Sequence, residues 1–278
     1  MTIDEIILKA LEEDIGSGDH TSLSTIPANI PGRSQLLIKE EGIIAGIQVA
    51  EKVFRALQRD IRFISLKKDG DTVMPGDIGF TVDADVRTLL SGERLALNIL
   101  QRMSGIATLT ARVVEKVKGL PVKILDTRKT TPLLRELEKM AVRTGGGYNH
   151  RMGLYDMIMI KDNHVDFAGG IDKAIMRVRH YLEVNHLELK IEIEVRNFEE
   201  LGQVLVTGGI DRIMLDNFAP DNLRKAVQII GGRYETEASG GINLDNIRSF
   251  AETGVDFISV GALTHRFRSL DMSLKAVS

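Results

Sequence analysis

The chain has 278 residues, 43% of them hydrophobic and 27% charged, with a formal net charge of -3 at pH 7. That length is enough for one large or two moderate hydrophobic cores, so a globular fold is expected. The lack of cysteine excludes disulfides, thiolate metal sites and a cysteine nucleophile, while the slight acidity and 5% aromatic content argue against a nucleic-acid surface.

The sequence lacks the features typical of membrane-spanning and secreted proteins. No apolar run approaches the roughly 20 residues of a membrane-spanning helix, and Met1 to Ala10 lacks the basic start and apolar stretch of a signal peptide. We therefore expect a soluble, cytoplasmic protein that binds a small molecule and neither nucleic acid nor a membrane.

The first part of the chain combines helical and extended patterns without a repeat. Apolar residues three and four apart predict a helix over Ile3–Glu13, and a second amphipathic helix is predicted around Val49–Leu57. The stretch from Ser34 to Ile44 is predicted to be extended. Strand-like runs at Phe63–Lys67 and Asp77–Val82 flank an Asp-Gly pair, which favours a hairpin between them.

A long segment almost free of turn residues follows, from Leu89 to Val117. A serine-glycine pair ending at Gly105 interrupts it, and we interpret the segment as two helices that meet there. Arg94 lies in the first of these helices, with Arg102 farther along it. A solvated polar face is the simplest explanation for either charge alone.

From Pro121 onward, strand-like runs alternate with helical patterns. The runs are Val122–Leu125, Met157–Ile160, Ile191–Val195, Arg212–Leu215, Tyr234–Ala238 and Asp256–Val260. Such alternation is typical of parallel strands joined by helical crossovers, with both faces of the sheet covered.

The spacing of these units favours a barrel. Glu194 to Asp216 is 22 residues, Asp216 to Ser239 is 23, and Ser239 to Gly261 is 22. Near-equal units favour a barrel over a doubly wound sheet, and the active face of a barrel lies at the carboxyl ends of its strands. The residues expected at those ends are Asp126, Lys161, Glu194, Asp216, Ser239 and Gly261.

Cations are concentrated between Lys123 and His164, although the whole chain is slightly acidic. Those singled out as a possible site are Arg128, Lys129, His150, Arg151 and Lys161. Arginine suits a bidentate grip on a carboxylate and lysine supplies a movable point charge, so this set predicts an anion site. The triple glycine at residues 145–147 would let the loop that carries His150 fold over a ligand, or is simply a flexible connector.

Glycines after the last two strand-like runs predict a phosphate site. Ser239-Gly240-Gly241 and Gly261-Ala262 offer backbone amides in the place where barrels commonly bind phosphate. A plain turn is the alternative explanation for the glycine pair.

Carboxylates end two neighbouring strand-like runs. Glu194 and Asp216 suit ribose hydroxyls or Mg²⁺, whereas Glu192 and Glu237 are interpreted as interior carboxylates paired with cations. For a single polar residue at a strand end, helix capping is the alternative. Asp162, Asn163, Asn217 and Asp221 are the residues predicted to cap in this way.

As a set, these segments resemble the quinolinate phosphoribosyltransferase family. The matching segments are LLSGERLALN with SGIAT, DTRKT, AVRTGGGYNHR, IKDNH, IEIEV, MLDNF, EASGGI and DFISVGALTH, together with the N-terminal GSGDHTS. Each fragment alone is weak, but the combination is specific. Arg266, directly after GALTH, departs from the smaller polar residue expected there.

The resemblance implies an α/β fold with an N-terminal α/β sandwich domain and an incomplete, seven-stranded α/β barrel. We expect the sandwich domain at residues 1–107, rejoined by a tail at 267–278, and the barrel domain at 108–266. The family works as a homodimer or larger assembly, with each site completed across the interface.

The resemblance also implies the reaction and the roles of residues. Quinolinate and phosphoribosyl pyrophosphate would give nicotinate mononucleotide, pyrophosphate and CO₂ in de novo NAD biosynthesis, with Mg²⁺ as cofactor. Arg94 of a neighbouring subunit would join Arg128, Lys129, His150, Arg151 and Lys161 around quinolinate. Glu194 and Asp216 would face the ribose and the metal, which they bind directly or indirectly, and Ser239, Gly240 and Gly261 would cradle the 5′-phosphate. The catalytic residues would be Lys129, Lys161, Glu194 and Asp216.

Three other functions are compatible with parts of the pattern. Lys161 at a strand end would suit a Schiff-base aldolase. A related phosphoribosyltransferase would act on nicotinate itself and release no CO₂. A non-catalytic binding homologue is disfavoured, because no candidate site residue is replaced by an apolar one.

Overall fold

The computed structural model describes residues 1–277, so Ser278, the last residue of the expected tail, lies outside the described part. The elements of the first half are α1 (Ile3–Ile15), α2 (His20–Thr25), β1 (Pro31–Ile38), β2 (Gly42–Ile43), α3 (Ile47–Leu57), β3 (Arg62–Ser65), β4 (Thr72–Val73), β5 (Ile78–Asp85), α4 (Val86–Lys116), β6 (Lys123–Leu125) and α5 (Arg135–Thr144). The second half contains β7 (Ile158–Ile160), α6 (Asp162–Ala168), α7 (Ile171–Val184), β8 (Ile191–Val195), α8 (Phe198–Thr207), β9 (Arg212–Asp216), α9 (Pro220–Ile230), β10 (Glu235–Ser239), α10 (Ile247–Ala251), β11 (Phe257–Ser259), α11 (Ala262–His265) and β12 (Met272–Ala276). No helix among these residues combines the length and the apolar character needed to cross a membrane.

The chain divides into two compact units. One comprises residues 1–111, 130–146 and those from Leu263 onward, and the other comprises residues 112–129 and 147–262. The sequence-based boundaries placed residues 130–146, which include α5, with the barrel, whereas this division places them with the N-terminal residues. Contacts with α4 are the physical reason, because Glu138 of α5 pairs with Arg102 of α4 and a Cβ at Gly145 would lie 2.4 Å from the backbone oxygen of Ala107.

The first unit is built on an antiparallel sheet in the order β12-β1-β5-β3. Alternate residues of the central strands are buried, among them Leu36 and Ile38 of β1 and Phe80 and Val82 of β5. This period of two is the pattern of a sheet with one covered face. The C-terminal strand β12 pairs with β1, with Leu36 opposite Leu274.

The predicted hairpin after β3 differs from the structure. β3 and β5 do pair antiparallel, with Phe63 opposite Val82, but β4 lies between them in sequence and pairs with β2 instead. The turn at Gly70 therefore leads into β4. The Asp-Gly pair marked a turn correctly and the two runs that flank it pair as predicted, but the connection between them contains β4 and is longer than a tight hairpin.

The second unit is built on a parallel sheet in the order β6-β11-β10-β9-β8-β7. All six predicted strands are present, with ends that differ from the prediction by at most one residue. A further single parallel bridge joins Tyr148 to Leu125 of β6, so a seventh extended segment lies beside the sheet without forming a full strand. β7 and Tyr148 lie at opposite ends of this order, as in a barrel that is not closed.

The two-helix prediction around Gly105 was wrong, since α4 is one continuous helix. Gly105 does not break the helix; its missing side chain leaves space for a neighbouring backbone segment. A Cβ at Gly105 would lie 2.2 Å from the backbone oxygen of Arg268. The C-terminal segment passes so close to α4 that only glycine fits, and sequence cannot distinguish this use of glycine from a helix break.

This close approach predicts opposite effects for two glycine-to-alanine changes within helices. Gly105→Ala is expected to destabilise the protein by about 1–3 kcal/mol, because backbone at Arg268 must shift. Gly202 in α8 has open space around the position of its Cβ. Gly202→Ala should therefore stabilise by up to about 1 kcal/mol through helix propensity. Urea unfolding of both variants checks this, and equal effects would contradict the packing explanation.

Candidate active site

Along the strands of the second unit, successive side chains point to opposite faces of the sheet. One face is apolar and buried, and the other carries the polar side chains. In β8, Ile191, Ile193 and Val195 are buried apolar residues, so the intervening Glu192 and Glu194 share the opposite face. The same period places Met214 beside Asp216 in β9. The polar side chains at the carboxyl ends therefore converge because the strands are parallel and in register.

These side chains line a cavity of about 260 Å³. Its lining comprises Thr127, Arg128, Lys129, His150, Arg151, Met159, Lys161, Glu194, Met214, Asp216, Glu237, Ser239 and Ser259. All of them belong to the second unit. A cavity of this size at the carboxyl ends of parallel strands is where enzymes of this architecture bind substrate.

The cavity brings together most residues that the sequence singled out. The five cations singled out between Lys123 and His164 all line it, and so do Glu194, Asp216 and Ser239. Gly240 and Gly261 follow β10 and β11 but do not line the cavity. Arg94 lies in α4, within the first unit.

Gly240 occupies a position that requires glycine. Its φ is +95°, and a Cβ there would lie 2.2 Å from Oδ1 of Asn217. The loop after β10 thus packs tightly against the loop after β9.

The predicted helix caps differ from those observed. α6 begins after Lys161, whose backbone N–H donates to Nδ1 of His164 at 3.0 Å, so Asp162 lies inside the helix. α9 begins after Ala219 with Pro220 in its first turn. Asn217 instead adopts a positive φ of 56° and donates from Nδ2 to Asp216 at 2.5 Å. This bond orients Asp216 at the rim of the cavity.

Asp126 is a fully buried anchor and does not line the cavity. Its carboxylate accepts the backbone N–H of His150 at 2.9 Å and Nδ2 of Asn149 at 2.5 Å. It therefore ties the end of β6 to the segment that carries His150. The strand-end position was predicted correctly, and its contacts are those of a structural acceptor.

His150 is held by two buried glutamates. Its Nε2 lies 2.9 Å from Oε2 of Glu192 and 3.4 Å from Oε2 of Glu237. Arg212 donates to the same Glu237 oxygen at 3.0 Å. Both glutamates are 0% exposed, which confirms that they are interior carboxylates paired with cations.

The charge of His150 follows from this arrangement. Burial opposes protonation, but hydrogen bonding to Glu192 and Glu237 and their charges raise the pKa of His150 to about 9. The backbone N–H of Arg151 lies 2.6 Å from Nδ1, which by itself favours an unprotonated Nδ1. In this geometry Nδ1 is the acceptor of the Arg151 N–H, and Nε2 is the nitrogen that bonds the glutamates, while the two carboxylates favour protonation of the ring.

The arginines of the cavity face one another. Burial, reinforced by the charge of Arg128, lowers the pKa of Arg151. Arg151 also donates from Nη1 to the carbonyl oxygen of Met157 at 3.1 Å, which fixes its guanidinium. Cations held close together in a partly buried cavity favour the binding of an anion with more than one charge.

Glu194 and Asp216 form the acidic part of the rim. Burial and the charge of Asp216 raise the pKa of Glu194, and burial raises the pKa of Asp216. Lys161 opposes both shifts. Two neighbouring carboxylates fit Mg²⁺, which commonly takes one or two protein carboxylates and completes its shell with water and phosphate oxygens.

A second donor set fits a metal less well. Among residues 1–277, His150, Glu192 and Glu237 are the group whose donor atoms lie close enough to hold an ion, all within 4.8 Å. Arg212 and His150 already pair with these two carboxylates. A divalent cation there would have to displace a buried positive charge.

Several cavity residues were not singled out from the sequence as part of the site. Met159 and Met214 line it two positions before Lys161 and Asp216, and Glu237 lines it two positions before Ser239. The period of two along each strand was the available signal. Thr127 and Ser259 lie in or next to short strands in which no such pattern can be read.

The fold and the site define an α/β-barrel enzyme that binds a polyanionic small molecule. Comparison with known proteins is specific. Residues 106–275 match the family described as quinolinate phosphoribosyl transferase, C-terminal domain, and residues 19–104 match its N-terminal domain. The chain therefore belongs to the quinolinate phosphoribosyltransferase family.

Individual relatives agree with this assignment. The chain is 44% identical to quinolinate phosphoribosyltransferase [decarboxylating] 2b, mitochondrial, of Nicotiana tabacum, covering 98% of this chain and 81% of that protein. It is 45% identical to the probable nicotinate-nucleotide pyrophosphorylase [carboxylating] of Bacillus subtilis, covering 94% and 89%. The crystal structure of NadC from Streptococcus pyogenes superposes with a TM-score of 0.93 at 39% identity, covering 99% and 97%.

Proposed function

We propose that this chain converts quinolinate and phosphoribosyl pyrophosphate to nicotinate mononucleotide, pyrophosphate and CO₂ in the biosynthesis of NAD. The observation that carries the proposal is the division of one cavity into a cationic part and an acidic rim. The cations match the two carboxylates of quinolinate, and the acidic rim matches a sugar that becomes positively charged during reaction.

The proposed reaction has two stages. The pyridine nitrogen attacks C1 of the ribose as the bond to pyrophosphate breaks, through a transition state with oxocarbenium character. Glu194 and Asp216 stabilise that positive charge. The ring nitrogen is then cationic, and its charge stabilises the electron pair that stays on the adjacent ring carbon when the carboxylate departs as CO₂. A proton replaces the carboxylate on the ring.

The remaining residues act by binding and orientation. Arg128, Arg151 and His150 hold the quinolinate carboxylates, and Lys129 and Lys161 place positive charge near Asp216. Ser239, with the backbone of Gly240 and Gly261, receives the 5′-phosphate. Holding both substrates in one geometry supplies a large part of the acceleration. When Mg²⁺ is bound, it stabilises negative charge on the pyrophosphate, and Glu194 and Asp216 would hold it.

A mass balance tests this function. Purified protein is incubated with quinolinate, phosphoribosyl pyrophosphate and Mg²⁺, and CO₂ and pyrophosphate are followed together. We expect one of each per nicotinate mononucleotide formed. Pyrophosphate release with nicotinate but without CO₂ would instead indicate a nicotinate phosphoribosyltransferase. A borohydride-trapped adduct at Lys161, without dependence on phosphoribosyl pyrophosphate, would indicate an aldolase.

The proposed assembly is a homodimer, or a larger assembly, in which Arg94 of one subunit completes the site of its neighbour. Arg94→Ala and Lys161→Ala should each be inactive alone. After subunit exchange, random pairing should restore up to about a quarter of wild-type activity, because half of the dimers carry one intact site. Steady-state rates of the mixture measure this. Verified exchange without recovery would contradict the shared site.

A further inference from the structure

Three neighbouring strands of the barrel sheet each place a charged side chain in one row. Glu192 of β8 lies opposite Arg212 of β9, and Glu237 of β10 lies opposite Met214 of β9. His150 reaches this row from the segment after the triple glycine. The four groups, His150, Glu192, Arg212 and Glu237, are called the buried charge row below.

The buried charge row is costly to maintain. Both glutamates are fully buried, and Oε1 of each has no hydrogen-bond partner within residues 1–277. Burial and the charge of Glu237 raise the pKa of Glu192 to about 7, and such buried carboxyl groups destabilise a fold relative to well-packed apolar residues of similar volume. The positive charges balance the negative ones, but balance alone does not require any charge there. A role in the site would explain why the row is tolerated.

The row meets the cavity at His150. His150 lines the cavity, and its Nε2 contacts Glu192, which does not line it, and Glu237, which does. Its Nδ1 contacts the backbone N–H of Arg151, whose guanidinium also lines the cavity. The two carboxylates thus set the orientation of the ring through Nε2, and Nδ1 links the ring to Arg151. Glu192 does not line the cavity, so it can influence a ligand only through His150 or the general field of the row.

We propose that Glu192, assisted by Glu237, is a positioning residue that fixes the His150 imidazole, and with it Arg151, for binding of the dicarboxylate substrate. The substrate named here rests on the proposed function. Partners behind a binding group commonly govern affinity by fixing its orientation and charge.

Glu192→Gln is the direct test, because it keeps the size of the side chain and removes its charge. We expect the KM for quinolinate to rise about tenfold or more, with the KM for phosphoribosyl pyrophosphate and kcat within about threefold of wild type. Glu235→Gln is the matched control. Glu235 lies in β10 and pairs with the same Arg212 at 3.1 Å, but its side chain is 39% exposed. It should leave all three kinetic constants within about twofold.

A double-mutant cycle separates positioning from a general structural effect. In the His150→Asn background, Glu192→Gln should add less than about a twofold change in the KM for quinolinate, because the group it positions is gone. Full additivity of the two changes would overturn the proposal. If Glu192→Gln does not fold, Glu192→Asp is measured in the same cycle with the same expectation.

Nuclear magnetic resonance of ¹⁵N-labelled histidine gives a readout independent of turnover. The His150 ring, assigned by its loss in His150→Asn, should titrate at least one pH unit lower in Glu192→Gln than in wild type or Glu235→Gln. An unchanged titration would overturn the proposal. So would an unchanged quinolinate KM in an active Glu192→Gln enzyme, and that result would leave the proposed function intact. A wild-type protein that does not turn over quinolinate would refute the proposed function and the substrate named here, while a shifted titration would still support the fixing of His150.

Discussion

Lys161→Ala is expected to lower kcat/KM for the proposed reaction by about 10²-fold or more. Lys161 follows β7 at the carboxyl edge, and its charge acts on both Glu194 and Asp216. Removing it deletes a cation from the substrate-binding cavity and leaves two carboxylates that repel an anionic substrate. Loss of one such positioned charge typically costs about 3–4 kcal/mol in the transition state.

The same change should hardly affect folding. The Lys161 side chain is exposed, and its backbone N–H keeps the bond to His164 whatever the side chain. Thermal unfolding should stay within about 0.5 kcal/mol of wild type. Lys225→Ala, at an exposed position in α9, removes the same charge away from the cavity and is the control for kinetics. Near-normal turnover of Lys161→Ala would show that the cationic part of the cavity is wrongly assigned.

Asp216→Asn is expected to lower kcat by about 10²-fold or more and to raise the Mg²⁺ concentration needed for half-maximal rate. The change removes one of the two carboxylates that face the proposed ribose and metal. Steady-state kinetics over a Mg²⁺ titration measure both effects. Asp221→Asn, whose side chain is 91% exposed in the first turn of α9, should change neither value.

Stability should move in the opposite direction. The charge of Asp216 helps to raise the pKa of Glu194, and a carboxyl whose pKa is raised by folding costs stability above that pKa. Asp216→Asn removes this repulsion, so the melting temperature without ligands should be unchanged or higher at pH 7. A variant that loses both activity and stability would indicate that Asp216 is mainly structural.

The parallel-strand unit was largely predictable because its signals are local. Apolar runs, glycine-rich turns and near-equal spacing identified six strands, and the rule that barrels bind ligands at their carboxyl ends located the cavity residues. The antiparallel unit was less predictable. The partners of β2, β4 and β12 are distant in sequence, and no local pattern in a two-residue strand specifies its neighbour.

The sequence also left the uses of individual residues undecided. Gly105 has the appearance of a helix break, yet it accommodates the backbone of Arg268 beside a continuous helix. Asp126 and Lys161 both end strands, but one is fully buried and bound to the His150 segment, whereas the other is exposed at the cavity. Burial separates the structural Asp126 from the cavity-lining Lys161, and burial arises only when the chain folds.

The sequence by itself determined which residues are present at the strand ends and what kind of ligand their charges favour. Residue type and spacing are enough for this, since parallel strands place their carboxyl ends together. Only the tertiary structure decided how the charges are paired. Glu192, Arg212 and Glu237 come from three strands and meet His150 from a separate segment, and the pKa of His150 is raised to about 9 only where those groups converge.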